Sequence, residues 1–551
     1  MSHDFDLGPW SRKITSKNPD AQIWFDRGLN WTYAYNHEEA VTCFRKALEY
    51  DPGCAMAWWG IAYASGPFYN RSWTALSDSE IDAFLPICHE AVRRATERAR
   101  HCSAAEQGLI DAIQSRYQSP DQRDRAVLDR WHVEFTDAMR EVYRTFPEDL
   151  DIAALFAEAA VTCTPRQLWD MTRGIPKKGA LTEEALVVLD RALEQMRGTG
   201  ARHPGVPHMY IHALEMSPFP ERALPAADLL LGQGPDAGHL EHMPAHIYVL
   251  CGDFAQAVSQ SERAIIADDK YLAHVGDRNF YTTSRCHDLH LLIYAAMFLG
   301  QYRKALGAAD RMAAMATPEL IKTSAPFISS KLDGYAAMRT NVLVRFGRWR
   351  ELAETSPPED PALKPISAAM HAYGRGVAHA ALGEIEAGER ARELFIEAVS
   401  AIPEDMIFLS NTARAMLGVG RAMLDGELEY RKGNTDRAFE CLREAVARDD
   451  ALNYTEPWAW MHPPRHALGA LLVEQGRLDE AETVFREDLG LLDGVPRCCQ
   501  HPGNIWALHG LLACAEGKGD GGELAMLRQD LAIAQARADT SIQSACFCAS
   551  A

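Results

Sequence analysis

Between Gln22 and Pro52 the apolar and small residues fall at helical spacing. Trp24, Gly28 and Trp31 mark one stripe, Ala40, Phe44 and Ala47 a second, and Pro52 follows directly. Two antiparallel helices satisfy this pattern: small residues let them approach and large ones fill the space between. The spacing returns at Gly426, Ala438, Leu442 and Ala445, and again at Leu468, Gly469, Ala481, Phe485 and Leu489; Trp506 and Gly510 open a last, degenerate copy. A unit opening at Trp58 soon becomes irregular. Between the copies, Gly-x-apolar turns recur as Gly252-Asp-Phe254, Gly300-Gln-Tyr302, Gly347-Arg-Trp349, Gly383-Glu-Ile385 and Gly476-Arg-Leu478. Glycine supplies the left-handed residue that ends one helix, and the apolar residue two places later seats the next. Strand signals are nearly absent, so the pattern predicts an all-α chain of about a dozen helical hairpins.

Punctuation suggests divisions. Residues 1–20 read as a polar lead-in, 21–356 as an N-terminal array and 357–535 as C-terminal repeats; 536–551 read as a flexible tail. The break rests on Pro357-Pro-Glu-Asp-Pro361.

Composition narrows the chemistry. Hydrophobic content of 47% and charged content of 24% are those of an ordinary globular protein. A net charge of −20 without a basic stripe argues against nucleic acid. No apolar run approaches the span of a bilayer, so no membrane partner is expected. The N-terminus, Met1-Ser-His-Asp-Phe-Asp, lacks the basic and apolar regions of a signal peptide. Thirteen cysteines without framework spacing are expected to be reduced thiols, and the protein to be cytoplasmic. No phosphate loop, nucleophile elbow or dinucleotide fingerprint is present, which disfavours nucleotide-driven chemistry and serine hydrolysis.

The candidate chemistry lies between His203 and His290, which hold nine of the 20 histidines. His208, His212 and Glu215 are spaced i, i+4, i+7, on one stripe of a helix for which Pro207 suits the first position. His287 and His290 share a face at i, i+3. His242 and His246 flank Pro244. If that proline opens a helix, His246 is helical, His242 lies just before it and His239 sits in the loop. Imidazole is neutral near pH 7 and offers a lone pair to a metal. His208, His212, His239, His242, His246, His287 and His290 are therefore the candidate ligands, enough for one ion or two. A lone histidine on an apolar face is ordinarily a hydrogen-bonded core residue; spaced pairs in consecutive hairpins are hard to attribute to packing. A ladder of hydrogen-bonded histidines gripping an acidic peptide is the bland alternative.

The repeat positions resemble the tetratricopeptide repeat family. More narrowly, the chain resembles a histidine-rich microbial subgroup, through Trp31–Glu39, Ala57-Trp-Trp-Gly-Ile-Ala-Tyr63, His203-Pro-Gly-x-x-His208-x-x-Ile-His212, His242-Met-Pro-Ala-His246-Ile-Tyr248 and His287-x-x-His290. The resemblance implies an α-solenoid, here expected to curl around a central cavity, and a shared histidine pattern; it implies no reaction. Asp288 stands where relatives tend to carry asparagine.

An imidazole-rich, thiolate-poor set suits copper first, with iron or zinc as alternatives. Met243 stands where a zinc protease places its general-base glutamate. Two histidines with a carboxylate such as Glu215 would also meet the ferrous-iron pattern. The resulting expectation is a copper or iron oxidoreductase using dioxygen on a small organic substrate. Its alternatives are a zinc-dependent hydrolase or lyase, and a non-catalytic interaction scaffold. Glu215, Asp288 and Tyr248 are the candidate catalytic residues, with Glu215, Glu241 and Asp288 expected to orient imidazoles. Trp59, Tyr63, Trp458 and Arg465 are candidates for substrate binding, and Arg465 a possible anion anchor. His37 with its two following glutamates, and the His462 and His501 segments, read as helix-start and turn chemistry. A homo-oligomer or a protein partner on the repeat surface stays open.

Overall fold

Phe44 shows how the first hairpin closes. Its ring lies so near Gly28 and Gly60 that a Cβ built on either would come within 2.6 Å of it. Glycine at both places lets the helices Pro19–Tyr33, His37–Tyr50 and Ala55–Ala64 close on one aromatic. Burying that ring contributes about 2 kcal/mol. Phe485 repeats the device near the other end of the chain. A Cβ would meet its ring at 2.4 Å from Gly469 and at 2.1 Å from Gly510.

The computed structural model describes residues 4–519 and 521–550. The fold is all-α. Among the described residues the named strands are two short antiparallel pairs, Trp169–Asp170 with Ile175–Pro176 and Ile407–Phe408 with Asn411–Thr412. The five predicted turn glycines all take left-handed φ, between +61° and +80°. Polar caps set helix starts: Asn36 accepts from the Glu39 amide, and Ser77 and Ser103 each form a capping box. No described helix is long and apolar enough to cross a membrane.

The chain divides into two compact units, residues 1–247 with 263–281 and residues 248–262 with 282–551. The Pro357–Pro361 segment is a loop inside the second unit, between the helices Trp349–Glu354 and Pro365–Ala381.

In the first unit the polar lead-in is fastened down. Phe5, Leu7 and Ile14 are buried, and Trp10 Nε1 donates to Asp151 Oδ1 at 2.9 Å. Arg12 bridges Asp149 and Asp151 at 2.8 and 3.0 Å. Asp151 opens the buried helix Leu150–Thr162 and also accepts from Tyr33 Oη at 2.6 Å and His203 Nε2 at 3.1 Å. These donors hold its carboxyl well below the ordinary range, against the opposing effect of burial. In the second unit the expected flexible tail instead packs down. Ile542 and Ala545 are buried, Gln301 Nε2 reaches the Arg537 carbonyl at 2.9 Å, and the Phe547 ring lies 5.8 Å from that of Trp506. Its apolar residues outweigh its polar appearance. Cys546 and Cys548 are joined as a disulfide, contrary to the expectation of reduced thiols throughout; the other eleven cysteines form none.

Burial also makes stability sensitive to pH. His37 and His132 in the first unit, and His290 and His462 in the second, are pushed down to about 3, chiefly by desolvation. Below the ordinary value near 6.5 the unfolded chain takes up protons that these rings refuse, so acid favours unfolding. Asp333, pushed up to about 6 by burial, works the other way, since it gains a proton in the folded state first. Burial raises Glu158, Glu427 and Asp449 in the same sense as Asp333, but it also lowers His208, His239 and His466, so the deeply buried rings outnumber the carboxyls. The urea midpoint should therefore fall between pH 7 and pH 5.5, with each such histidine contributing about 1 kcal/mol.

Candidate metal centre

Two helices of the first unit carry the site. The first, Gly205–Leu214, is wholly buried and places His208 and His212 one turn apart, with Glu215 at its C-cap. His203 secures its start, accepting the Val206 amide on Nδ1 at 3.2 Å while Nε2 faces Asp151. Pro207 is its third residue, not its first.

The second helix corrects the sequence reading. It runs Gly238–Leu250 with Pro244 inside it. His239, His242 and His246 are therefore all helical, at i, i+3 and i+7, and none is in a loop. Proline forfeits one backbone hydrogen bond there. The neighbouring Leu240, Met243 and Ile247 are buried, and tertiary packing outweighs the local preference.

Five candidate ligands thus meet within one unit, all 2% exposed or less. One ring nitrogen from each of His208, His212 and His239 lies within 4.8 Å of the other two. Hydrogen bonds fix the tautomers. His208 Nδ1 is 2.7 Å from the Tyr33 carbonyl, which only accepts, so Nδ1 carries the proton and Nε2 the lone pair. Glu215 binds two rings. Its Oε1 lies 2.9 Å from His212 Nδ1 and its Oε2 2.6 Å from His246 Nδ1. Both Nδ1 atoms therefore donate, which in the neutral ring leaves the lone pair on Nε2. Burial pushes His208 and His239 well below the ordinary imidazole range, so both are neutral.

The nitrogen spacings differ in meaning. His208 Nε2 and His239 Nε2 are 3.2 Å apart. Two ligands on a tetrahedral ion at zinc-like bond lengths sit roughly 3.3 Å apart. His242 Nε2 and His246 Nε2 are closer, at 2.7 Å. With Nδ1 of His246 protonated, that pair reads as an N–H···N bond donated by His242. The donor set of His208, His212 and His239 fits a transition metal, and Glu215 stands behind it, on the Nδ1 side of His212. That position argues against the two-histidine, one-carboxylate arrangement.

Tyr35 forms the wall of the cluster. Its ring centroid lies 4.5 Å from that of His208, 5.3 Å from His239 and 5.8 Å from His212, nearly parallel to the last two. Its backbone takes φ of +54° between the first two helices of the chain. Tyr69 packs on His212 at 4.6 Å. Tyr33 and Tyr35 escaped the sequence reading as site residues. The signal was present in the aromatic block Trp31–Glu39, but their contact with the histidines is 170 residues or more away along the chain.

Other candidates fall elsewhere. Glu241 is bound by Arg263 Nε at 2.7 Å and orients no imidazole. Trp59 and Tyr63 stack on each other at 5.2 Å in the core, where Tyr63 Oη donates to the buried Glu158. They are packing, not an open substrate wall. His37 is buried against Phe68 rather than solvated. Tyr248, His287, Asp288 and His290 belong to the second unit; His290 is buried and edge-on to Tyr335 at 5.3 Å. Trp458 and Arg465 also lie there. Trp458 donates to Asp449 at 2.9 Å, and Arg465 is clamped by both oxygens of Asp450 at 2.6 and 2.8 Å. Internal carboxylates already satisfy Arg465, so it offers no anchor for a substrate anion.

The family model described as tetratricopeptide repeat matches residues 36–54, the second helix of the Phe44 hairpin and the turn after it. That segment carries a tetratricopeptide repeat. No curated protein matches the chain. Solved structures similar to this chain include a human IFIT1 dimer with m7Gppp-AAAA, 11% identical, covering 95% of this chain and 91% of that one at a TM-score of 0.32. An APC/C hetero-tetramer, Cut9-Hcn1, is 12% identical, covering 98% and 78% at a TM-score of 0.28. Naa15/Naa10 bound to HypK-THB is 12% identical, covering 94% and 70% at a TM-score of 0.21. Scores of this size carry no functional meaning.

Glu215 offers a direct check. Glu215→Gln puts an amide NH2 against an imidazole N–H and removes the charge that both rings share. Affinity for added copper or zinc should fall about 10- to 100-fold, read by chelator competition, with helical circular dichroism unchanged.

Proposed function

We propose that this tetratricopeptide-repeat protein carries a histidine-ligated transition-metal centre and depends on it for activity. The observation behind this reading is the convergence of three buried imidazoles, His208, His212 and His239, on one another inside the first unit. The Nε2 lone pair of His208 faces His239 Nε2 at 3.2 Å, and a cation among the three rings would be held by such lone pairs.

Within that reading copper is preferred, then iron or zinc. The ligands are all imidazole, and Glu215 is committed to two Nδ1 atoms. It is therefore neither a ligand for ferrous iron nor a general base for zinc-assisted hydrolysis. A bound copper ion would supply redox chemistry with dioxygen, and a small organic substrate is its natural counterpart. The chain's own residues keep His208 and His239 neutral through burial, orient the rings through Glu215 and the Tyr33 carbonyl, and exclude bulk water.

His212→Ala, purified without a histidine tag, should lose bound metal and metal-dependent activity while keeping its helicity. His246→Ala should do the same through Glu215. If the wild-type protein holds less than about a tenth of an equivalent of any transition metal after reconstitution, the proposal fails. The chain is then better read as an interaction scaffold, the common role of its repeat.

A further inference from the structure

The second unit holds an arginine whose charge has no partner at hand. Arg345 ends the helix Met338–Arg345 and is 6% exposed. Its guanidinium lies 3.7 Å from the centroid of the Trp506 ring and makes one hydrogen bond, from NH2 to His466 Nδ1 at 2.7 Å. No carboxylate pairs with it among the described residues. The nearest negative group in the network, Asp488, is fully engaged. It takes His466 Nε2 and His501 Nδ1, each at 2.8 Å, and Asn504 Nδ2 at 2.9 Å. Since His466 donates from Nε2, its Nδ1 is the acceptor for Arg345. A guanidinium has five N–H donors, and this bond uses one.

Arg345 opens on a small cavity of about 30 Å³ within the same unit. Two further side chains lining it lack partners: the Tyr373 hydroxyl and both ring nitrogens of His462 are buried without a hydrogen bond. His466 completes the polar lining. The one carboxylate there, Glu427, has Oε1 held by Arg431 Nε at 2.9 Å. The tail segment with Cys546 and Cys548 closes one side. Water would serve the hydroxyl and the imidazole, but it brings no charge to balance a guanidinium out of solvent.

We propose that this cavity binds a small oxyanion, a carboxylate or phosphate group, held by Arg345 with help from Tyr373 and His462. Charge selects an anion, and the planar fork of the guanidinium selects paired oxygens. The cavity admits only the head group of such a ligand. The site is independent of the metal centre, since none of its residues belongs to the first unit.

The test uses the full chain and three sodium salts at equal ionic strength: acetate, phosphate and chloride. Acetate or phosphate should raise the melting temperature saturably, and chloride should not. A response to acetate alone assigns a carboxylate ligand, and to phosphate alone a phosphate. Arg345→Met should fold at least as stably without anion and lose the response. Tyr373→Phe should fold normally and bind about tenfold more weakly. A wild-type response equal to that of chloride overturns the proposal. So does an unaltered response in Arg345→Met or, should that variant fail to fold, in Tyr373→Phe and His462→Phe together.

Discussion

A carboxylate removed from water must be met by donors, or it will not stay ionised. Glu215 is fully buried and is met by two imidazole N–H groups from two helices. That requirement ties the C-terminus of Gly205–Leu214 to the middle of Gly238–Leu250. It also decides which nitrogen of each ring carries a proton. Once Nδ1 of His212 and His246 is committed to Glu215, Nε2 on each can only accept or ligate. The Tyr33 carbonyl imposes the same choice on His208. The chemistry of the cluster is therefore set from behind, by groups that never face its centre.

The second unit uses the same device for a different end. Asp488 is buried and grips His466 and His501 as Glu215 grips His212 and His246. There the far nitrogens are already occupied: His466 Nδ1 accepts from Arg345, and His501 Nε2 lies 2.9 Å from Tyr294 Oη. In the first unit His246 Nε2 faces His242 Nε2 at 2.7 Å, and His212 lies against His208 and His239. The difference lies in the third partner. Where the far side of the ring meets protein donors, the carboxylate-imidazole pair relays polarity through a core. Where it meets other imidazoles, the rings could hold a cation.

Repeat packing makes both arrangements possible. Phe44 between Gly28 and Gly60, and Phe485 between Gly469 and Gly510, show helices brought close by the absence of a Cβ. Helices this close leave little room for water. That dryness keeps His208 and His239 neutral, and it leaves the Arg345 guanidinium short of a counter-charge.

Local rules settled much of this from the amino-acid order alone. The glycines, the aromatic spacings and the turn residues specify helical hairpins because each acts within a few residues of itself. The i, i+4 spacing of His208 and His212 specifies one helical face for the same reason. The rule failed at Pro244, where packing of Leu240, Met243 and Ile247 carries a helix through a residue that would end it in isolation. Only the tertiary structure decided which carboxylate serves which ring. It gave Glu215 to two histidines, Glu241 to Arg263 and Asp450 to Arg465, and it brought Tyr35 against histidines more than 170 residues away. Such pairings depend on distances across the chain, to which periodicity along it is blind.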